Sequence, residues 1–500
     1  MFITMRHDRY RPAYRSGIRR LMMMGVLLPL LTIVLLSTAG AAHPATTLDS
    51  ANRPSPIVDG QSLDSMLVKR LQSEIEHQIA MNGLEGISAS VIVPGKGEWQ
   101  GVAGMSFDSD AMRPEMILGA GSITKTFTAT LILQLAEEGK LTLDDSLHEW
   151  LPAYLNIDST ITIRQLLNHT SGIYNYTNSL AWNDSVAADM MRHWEAEEIV
   201  SKFIRPRSFQ AGIGWQYCNT GYLLLGMIAE KATGSEIAVE FRRRFLTPLG
   251  MASTHLEADE ESTLEMAHSW LDVDGDAIPD DIFTLPRPAI YSSAWTAGAM
   301  FSTARDLTTW GRALYGGQVL HDSSLQRMLT FRNLSMSSMT GYGFGAARIR
   351  LSRGVAYGHG GNILGYSSIL LFNPADSTVV AAMVNGFVDA APIGVALMEV
   401  IMEQQSGVGS GDIARGALTI DNIRRTSSGQ TFAIDYNLPE PAHVSMTVYT
   451  ILGGEVATIV RDEKSAGTHT AFFDGSNLPR GPYFCRLQAG GKAVTRRLVL

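Results

Sequence analysis

Gly121-Ser122-Ile123-Thr124-Lys125 begins a segment whose apolar residues recur at helical spacing as far as Glu138. This periodicity predicts a helix from Ser122 to Glu138. Residues three apart share one face of a helix, so the Lys125 amine is expected beside the Ser122 hydroxyl, near the N–H groups of the helix N-terminus. A buried lysine in that place loses its proton readily and acts as a base. The alternative is an N-capping serine followed by a surface lysine.

Two later segments carry residues that fit the same chemistry. Tyr217-Cys218-Asn219 lies on a loop that enters a predicted helix; its phenol is a candidate proton acceptor and donor, and its amide a candidate ligand for lysine and substrate. His359-Gly360-Gly361-Asn362 leads into a predicted strand at Ile369, and glycine on a strand permits the close approach of a ligand backbone. Taken singly, a buried tyrosine, a capping asparagine and a structural histidine are the alternatives.

Together these segments carry a family resemblance. Ser122-x-x-Lys125, Tyr217-x-Asn219 and His359-Gly360-Gly361, in that order, resemble the three motifs of the penicillin-recognising serine hydrolases. The most similar branch contains class C β-lactamases, D-Ala-D-Ala carboxypeptidases, D-aminopeptidases and related esterases. The segment from Arg164 to Gly172 resembles the LLxHTSG loop of that branch, and Thr296 to Met300 resembles its AGG[ML] turn.

The resemblance covers roughly residues 62–405 and implies the fold of a catalytic domain over residues 60–405. That fold is α+β, β-lactamase/transpeptidase-like, with an antiparallel sheet flanked by helices plus an all-α subdomain. The residues themselves indicate a sheet built from distant segments. A striped helix and a hairpin stand near the N-terminus of this domain, whereas strands are predicted at Ile369–Phe372 and Thr378–Val384.

The resemblance also implies roles for the first two motifs. Ser122 attacks a carbonyl and forms an acyl-enzyme, while Lys125 and Tyr217 handle its proton. Tyr217 then protonates the leaving group and activates water, and Asn219 positions Lys125 and the substrate amide. Neither a cofactor nor a metal takes part.

The third motif is expected to bind substrate through His359, Gly360, Gly361 and Asn362. The oxyanion is expected between the backbone N–H groups of Ser122 and Asn362. Most β-lactamases of the family carry lysine where this chain has His359. A histidine of ordinary pKa is mostly neutral at pH 7, so a substrate carboxylate is held less firmly. This departure favours peptidase or esterase action over efficient β-lactam hydrolysis.

Two other segments offer competing sites. His169 and Ser171 suggest another nucleophile, but no G-x-S-x-G elbow surrounds Ser171, and in the family this loop is structural. The stretch Asp272–Asp276 looks like a calcium loop but lacks the glycine and glutamate that an EF-hand requires. A solvated acidic loop is the better interpretation, with weak calcium binding left open.

Composition excludes several classes of protein. Hydrophobic residues form 45% of the 500 and charged residues 18%, which excludes wholesale disorder. A net charge of -9 shows no excess of basic residues of the kind that binds nucleic acid. Two cysteines, Cys218 and Cys485, are too few for a disulfide framework or a cysteine-rich zinc site.

Residues 1–42 are predicted to be a secretory signal peptide. They combine six arginines and one acid with the uncharged apolar run Leu21–Leu36 and the small residues Ala39-Gly40-Ala41-Ala42. The alternative is a membrane anchor, but 16 apolar residues fall short of the ~20 that span a bilayer. Without the leader the chain has 34 basic and 48 acidic residues, a net charge of -14, and no stable membrane span is expected.

Beyond a predicted Gly/Ser linker at 406–419, residues 420–500 contain six short alternating runs that predict a small Ig-like β-sandwich. Its segments Tyr436–Val444 and Val448–Val456 resemble the type IX secretion C-terminal sorting domain. This implies the type IX machinery as partner and a secreted or cell-surface location. A carbohydrate-binding module is the alternative, disfavoured by the few exposed aromatic residues expected in these strands.

The sequence therefore predicts a secreted serine hydrolase that acts on a small-molecule or peptide substrate. Its expected reaction is that of a D-Ala-D-Ala carboxypeptidase, D-aminopeptidase or esterase. The alternatives are a class C-like β-lactamase and a catalytically silent penicillin-binding homologue.

Overall fold

The computed structural model describes residues 62–499 except 258, 261, 274–278, 335, 337, 387, 407–417, 426–430, 451–454, 477, 479–481 and 491. The predicted leader (1–42), most of the predicted linker (406–419) and the centre of Asp272–Asp276 lie outside these residues. The chain divides between Val400 and Ile401 into two compact units. In the part of the chain that the structure describes, no helix has both the length and the apolar character to cross a membrane.

The helices begin with a long amphipathic helix and end with another long helix. They are α1 (Ser65–Asn82), α2 (Thr124–Glu137), α3 (Leu147–Trp150), α4 (Ile163–Leu167), α5 (Leu180–Ala188), α6 (Ala196–Lys202), α7 (Asn219–Thr233), α8 (Ile237–Phe241), α9 (Pro288–Gly298), α10 (Ala304–Tyr315), α11 (Asp322–Met328) and α12 (Ala391–Ser406). Two 3-10 turns, Gly121–Ile123 and Tyr176–Asn178, and a π turn, Arg242–Leu246, accompany them.

The strands of the first unit form one large sheet and two small ones. They are β1 (Gly86–Val93), β2 (Gly97–Phe107), β3 (Asp110–Ala111), β4 (Leu118–Gly119), β5 (His255–Leu256), β6 (Trp270–Leu271), β7 (Asp280–Asp281), β8 (Met300–Ser302), β9 (Arg332–Asn333), β10 (Met339–Tyr342), β11 (Ala347–Arg350), β12 (Val355–Ile363), β13 (Tyr366–Phe372) and β14 (Val379–Val384). Among the residues that the structure describes, the large sheet has nine strands in the order β3-β2-β1-β14-β13-β12-β11-β10-β9. All of its pairs are antiparallel.

The large sheet joins the two ends of the first unit, as the sequence predicts. β1 pairs with β14, with Ile87 opposite Val384, although almost 300 residues separate these strands. Every residue of β1, β13 and β14 is buried, including two serines in β1 and two in β13. Helix α10 packs against these strands through Gly311, where a Cβ atom would lie only 2.8 Å from Leu370.

The predicted α+β class is confirmed for this unit, in which helices accompany a large antiparallel sheet. The helix predicted from Ser122 to Glu138 begins with the 3-10 turn and continues as α2. The short helices α3 to α6 carry too few turns to show a clear apolar period, so the residues alone did not predict them.

The described residues of the second unit form seven strands in two antiparallel sheets. They are β15 (Thr419–Arg425), β16 (Thr431–Leu438), β17 (Ala442–Thr450), β18 (Glu455–Lys464), β19 (Gly467–Asp474), β20 (Pro482–Ala489) and β21 (Lys492–Val499). The sheet orders are β15-β16-β19 and β18-β17-β20-β21, and the two sheets share one apolar core. β15 was not predicted, because its polar run directly follows the predicted linker.

Two aromatic side chains in the strands of this unit are exposed, Phe472 at 63% and Phe484 at 38%. Phe472 alternates with buried Ala471 and Phe473 on β19, whereas Phe484 stands on β20 in the other sheet. The two exposed rings therefore do not belong to one sheet face. Both cysteines are free and buried.

Candidate active site

The start of α2 brings Ser122 and Lys125 together. The Lys125 Nζ lies 3.1 Å from the Ser122 Oγ, across the junction of the 3-10 turn and the helix. Lys125 is completely buried and Ser122 is 8% exposed. The lysine is therefore a buried partner of the serine and not the surface lysine of the alternative interpretation.

Threonines of α2 hydrogen-bond to the last turn of α9 and to the start of β8, which follows it. The Thr124 hydroxyl accepts a hydrogen bond from the Met300 backbone N–H at 3.0 Å. The Thr128 hydroxyl donates to the Thr296 carbonyl at 2.8 Å. Helix α9 kinks at Trp295, whose φ of 32° lies in the left-handed region. As a result the Ala297 carbonyl faces Lys125, with 2.6 Å between the carbonyl oxygen and Nζ.

Asn219 approaches the same lysine from the first turn of α7. Its Oδ1 atom accepts a hydrogen bond from the Lys125 Nζ at 2.8 Å. The Asn219 backbone N–H donates to the Asn175 Oδ1 at 3.0 Å, and its Nδ2 lies 3.5 Å from the Thr177 hydroxyl. The residues around the 3-10 turn Tyr176–Asn178 thus hold the amide in place.

Tyr217 stands beside the Ser122–Lys125 pair. Its ring centroid lies 4.8 Å from the Lys125 Nζ. Burial raises the pKa of the Tyr217 phenol, and a hydrogen bond with the Ser122 side chain partly opposes that shift. Tyr217 is therefore an uncharged phenol at neutral pH, with a proton to give.

The oxygens around Lys125 determine where its lone pair points. Asn219 Oδ1 and the Ala297 carbonyl can only accept hydrogen bonds. These two oxygens accept hydrogen bonds from the two N–H groups of a neutral Lys125. The nitrogen lone pair then points to the Ser122 hydroxyl. Burial lowers the pKa of Lys125 well below its usual value. The arrangement can therefore present a neutral amine to the Ser122 proton.

His359 in the third motif is fully engaged by its surroundings. Its Nδ1 lies 2.5 Å from the Gly360 carbonyl and its Nε2 lies 2.9 Å from the Tyr342 hydroxyl. Burial, reinforced by the nearby charge of Lys125, lowers the pKa of His359 to about 3. The side chain is 6% exposed and is not among the residues that line the cavity at Ser122. His359 therefore has no free ring N–H group with which to make the weak contact to a substrate carboxylate that the sequence led us to expect.

The glycines of the third motif allow β12 to pack directly against the 3-10 turn Gly121–Ile123, which carries Ser122. A Cβ atom on Gly361 would lie 2.0 Å from the Ala120 carbonyl oxygen. A Cβ atom on Gly121, whose φ is 51°, would lie 2.5 Å from the backbone nitrogen of Asn362. Ser122 and Asn362 consequently line one cavity, as an oxyanion site between their N–H groups requires.

The cavity at Ser122 has mostly apolar walls. Among the described residues that line it, none is acidic or basic. The polar contributors besides Ser122 and Asn362 are Asn219, Thr177 and Ser293, with Tyr176 and Trp182 at one wall. The apolar contributors are Leu271, Ile290, Ala294, Ala297, Ile363 and Leu364.

The competing residues His169 and Ser171 have structural contacts. The His169 Nδ1 accepts from the Cys218 backbone N–H at 3.2 Å, and the Ser171 hydroxyl accepts from the Ile173 N–H at 3.3 Å. Cys218 points its thiol at the Ile173 carbonyl, 3.3 Å away, and burial raises its pKa. These contacts fix the loop that precedes Asn219.

The sequence interpretation missed two contributors to this site. Ala297 acts through its backbone, which no side-chain pattern reveals, although its segment was noted for its resemblance to the AGG[ML] turn. Tyr342 was not predicted to contribute to the site. Its contact with His359 depends on the register of β10, β11 and β12, which spacing along the chain does not show.

Residues 71–398 match the protein family described as Beta-lactamase. The chain belongs to this family. Penicillin-binding protein 4 of Amycolatopsis lactamdurans is 32% identical over 294 residues, which are 55% of this chain and 74% of that protein. Esterase EstB of Burkholderia gladioli is 29% identical over 208 residues, 38% of this chain and 52% of the esterase.

A solved structure of a D-stereospecific amidohydrolase from Streptomyces sp. also resembles this beta-lactamase-family chain. It is 32% identical, with a TM-score of 0.59, and the match covers 68% of this chain and 99% of that one. With an esterase and an amidohydrolase among its relatives, the chain is a serine hydrolase. Residues 428–500 match the Secretion system C-terminal sorting domain, which indicates export to the cell surface or the medium.

Proposed function

We propose that this serine hydrolase forms an acyl-enzyme on Ser122 from an amide or ester that carries no charge near the reacting carbonyl. The observation that carries the proposal is the set of contacts of Lys125. Two fixed carbonyl acceptors hold its N–H groups and leave its lone pair for the serine proton. The lowered pKa of this buried amine supports a role as base.

In the proposed reaction, the Ser122 proton passes to Lys125 while Oγ bonds to the carbonyl carbon. The backbone N–H groups of Ser122 and Asn362 stabilise the oxyanion. Tyr217 gives its proton to the leaving amine or alkoxide as the bond to the carbonyl breaks, and it regains a proton from Lys125. Water then attacks the acyl-enzyme, losing a proton to the Tyr217–Lys125 pair, and Ser122 leaves with a proton as the acid is released.

The cavity lining supports an uncharged acyl donor with an apolar group. No acidic or basic side chain stands among the described lining residues, so a charged group bound there has no counterion. Of the three activities that the sequence resemblance implies, this favours amide and ester hydrolysis over carboxypeptidase action. The D-stereospecific amidohydrolase and the esterase among the relatives support N-acylated D-amino-acid amides and short-chain esters, which are uncharged at this position, as first substrates to test.

The C-terminal unit supports a role in export. Its match to a secretion system sorting domain leads us to propose the type IX machinery as its partner. In this proposal residues 420–500 direct passage across the outer membrane, and residues 60–405 carry the hydrolase.

The test compares the wild type with Ser122→Ala, and Ser171→Ala serves as a matched control. Each is treated with a fluorophosphonate and a fluorescent penicillin, then assayed on N-acetyl-D-phenylalanine amide, p-nitrophenyl butyrate and a chromogenic cephalosporin. We expect labelling and hydrolysis of the amide or ester in the wild type and in Ser171→Ala, and neither in Ser122→Ala.

Other results would contradict the proposal. Preferential hydrolysis of the cephalosporin would indicate a class C-like β-lactamase. Absence of any label in the wild type would indicate a catalytically silent binding protein. Loss of labelling in Ser171→Ala with retention in Ser122→Ala would move the nucleophile to Ser171.

A further inference from the structure

His169 contacts the chain on both sides of Tyr217. It follows α4, has a φ of 61° in the left-handed region and is 1% exposed. Its carbonyl accepts a hydrogen bond from the Gln216 backbone N–H at 3.1 Å, and its Nδ1 accepts one from the Cys218 backbone N–H at 3.2 Å. The residues before and after Tyr217 are therefore both anchored on His169.

The imidazole of His169 also packs against the Tyr217 ring. The two ring centroids lie 4.5 Å apart, with an angle of 47° between the ring planes. The rings of Tyr342 and Tyr222 lie 4.7 and 5.3 Å from the same imidazole. His169 thus supports Tyr217 through its side chain as well as through its backbone.

The hydrogen bonds of His169 show that it does more than fill space. Burial, together with the nearby charge of Lys125, lowers the pKa of His169 well below its usual value, so the ring is neutral. Because the Cys218 backbone N–H can only donate, Nδ1 bears the lone pair and Nε2 carries the proton. Nε2 has no hydrogen-bond partner among the described residues, and a buried donor without a partner is unfavourable. A phenylalanine would fill the same space without that cost, but it offers no acceptor to Cys218.

Asn219 lies on the same loop but has anchors of its own. Its backbone N–H donates to the Asn175 Oδ1 at 3.0 Å, and it begins α7. Its hydrogen bond with Lys125 therefore does not depend on His169 alone. A change at His169 should act first on the Tyr217 phenol and less on the lysine base.

We propose that His169 is a positioning residue for Tyr217: its ring and its two hydrogen bonds hold the phenol beside Ser122, in the place from which it protonates the leaving group. This inference rests on the proposed function, in which Tyr217 gives its proton to the leaving amine as the C–N bond breaks and regains a proton from Lys125. An amine needs that proton in order to leave, whereas p-nitrophenolate leaves as a stable anion. The effect of His169 should therefore depend on the leaving group.

Two substrates that differ only in the leaving atom test the proposal. They are N-acetyl-D-phenylalanine p-nitroanilide and the corresponding p-nitrophenyl ester, which deliver the same acyl group to Ser122. The variant is His169→Asn, because asparagine tolerates a left-handed φ and its Oδ1 is an acceptor near the position of Nδ1. The matched control is His255→Asn, which removes another buried imidazole with an unpartnered nitrogen among the described residues; His255 contacts Glu257 and Phe301.

We expect the ester-to-anilide ratio of kcat/KM to rise about tenfold or more in His169→Asn, because general acid catalysis contributes about 10²–10⁴-fold and only the anilide needs it. The ratio should keep its wild-type value in His255→Asn. Tyr217→Phe should raise the ratio further, and adding His169→Asn to Tyr217→Phe should then leave it unchanged. An unchanged ratio in His169→Asn overturns the inference. A further rise in the double variant also overturns it, since His169 would then act independently of Tyr217.

Failure of the proposed function gives a different result. If Tyr217→Phe leaves the ratio unchanged, Tyr217 is not the proton donor, and the proposed reaction fails together with this inference. If Tyr217→Phe raises the ratio while His169→Asn does not, this inference alone fails. The same folded molecules hydrolyse both substrates, so a partial loss of folded protein cancels in the ratio.

A measurement on the wild type applies even if His169→Asn does not fold. The chain has only two cysteines, so 15N-cysteine labelling gives two amide signals, which Cys485→Ser tells apart. In a sample that also carries 15N-histidine, the NOE from the Cys218 amide identifies the His169 ring. This ring should be protonated at Nε2 alone from pH 8 to 5. A proton on Nδ1 in that range would remove the acceptor for Cys218 and overturn the inference.

Discussion

Asn219→Asp introduces a carboxylate 2.8 Å from the Lys125 Nζ with almost no change in side-chain volume. An anion there stabilises the ammonium form of Lys125 and raises its pKa. At about 4 Å and an effective dielectric constant of about 20, two unit charges interact by about 4 kcal/mol, or about three pKa units. Burial of the new carboxylate consumes part of this energy, so we expect a rise of about two pKa units.

The consequence is a shift of the pH–rate profile. If neutral Lys125 is the base, activity requires a pH above its pKa, and a raised pKa moves the acid limb to higher pH. After a shift of about two pH units, the rate of the variant is about 100-fold lower than that of the wild type at any pH below the pKa of Lys125 in both proteins. At a pH above the raised pKa, the two rates are nearly the same. The assay is the second-order rate constant for fluorophosphonate labelling, together with kcat/KM on N-acetyl-D-phenylalanine p-nitroanilide, which has no titrating amine, between pH 5 and 10.

The control is Asn82→Asp, which adds the same charge at an exposed position on α1. Its acid limb should coincide with that of the wild type. A uniform loss in Asn219→Asp at every pH would show that Asn219 acts on substrate and not on Lys125. A limb that does not move would refute Lys125 as the titrating base.

Two further predictions concern a backbone contact and the C-terminal unit. Gly361→Ala puts a Cβ atom 2.0 Å from the Ala120 carbonyl, so we expect a loss of about 1–3 kcal/mol of stability in urea melts together with at least a tenfold drop in kcat. Gly86→Ala, with its Cβ atom 2.6 Å from the Met105 carbonyl on β2, should lose comparable stability while keeping kcat; equal kcat losses would contradict a specific role for Gly361. Deleting residues 420–500 in the producing bacterium should leave hydrolase activity in the cells, and activity appearing unchanged in the medium would contradict the sorting role.

How far the sequence predicts this site depends on how local each contact is. Ser122 and Lys125 are three residues apart on one helical face, so helical periodicity alone predicts their contact. Asn219 is 94 residues from Lys125, and only the ordered motifs pointed to it. Ala297 is 172 residues away and acts through a carbonyl that every residue possesses, so no choice of side chain marks it.

The fold shows the same division. Fully buried strands such as β13 and β14 can be recognised in the sequence by their apolar residues, and their ends were predicted to within a few residues. The conformation of the segment from Asn175 to His193 was not predicted. Its 3-10 turn and α5 nevertheless supply Tyr176, Thr177 and Trp182 to the cavity. Elements of three to nine residues carry too little periodicity, and their conformation follows from the packing around them.

The basicity of Lys125 depends on a backbone conformation far along the chain. In an uninterrupted α9 the Ala297 carbonyl would point along the helix axis. The kink at Trp295 changes the direction of the chain and therefore of this carbonyl. A bulky residue at φ 32° is strained, and it persists only when its surroundings hold it. The Trp295 Nε1 donates to the Asp259 Oδ2 at 2.9 Å, and the Thr296 hydroxyl donates to the Tyr222 carbonyl at 2.9 Å. These two contacts hold the strained turn, which in turn directs the Ala297 carbonyl to Lys125 and the lysine lone pair to Ser122.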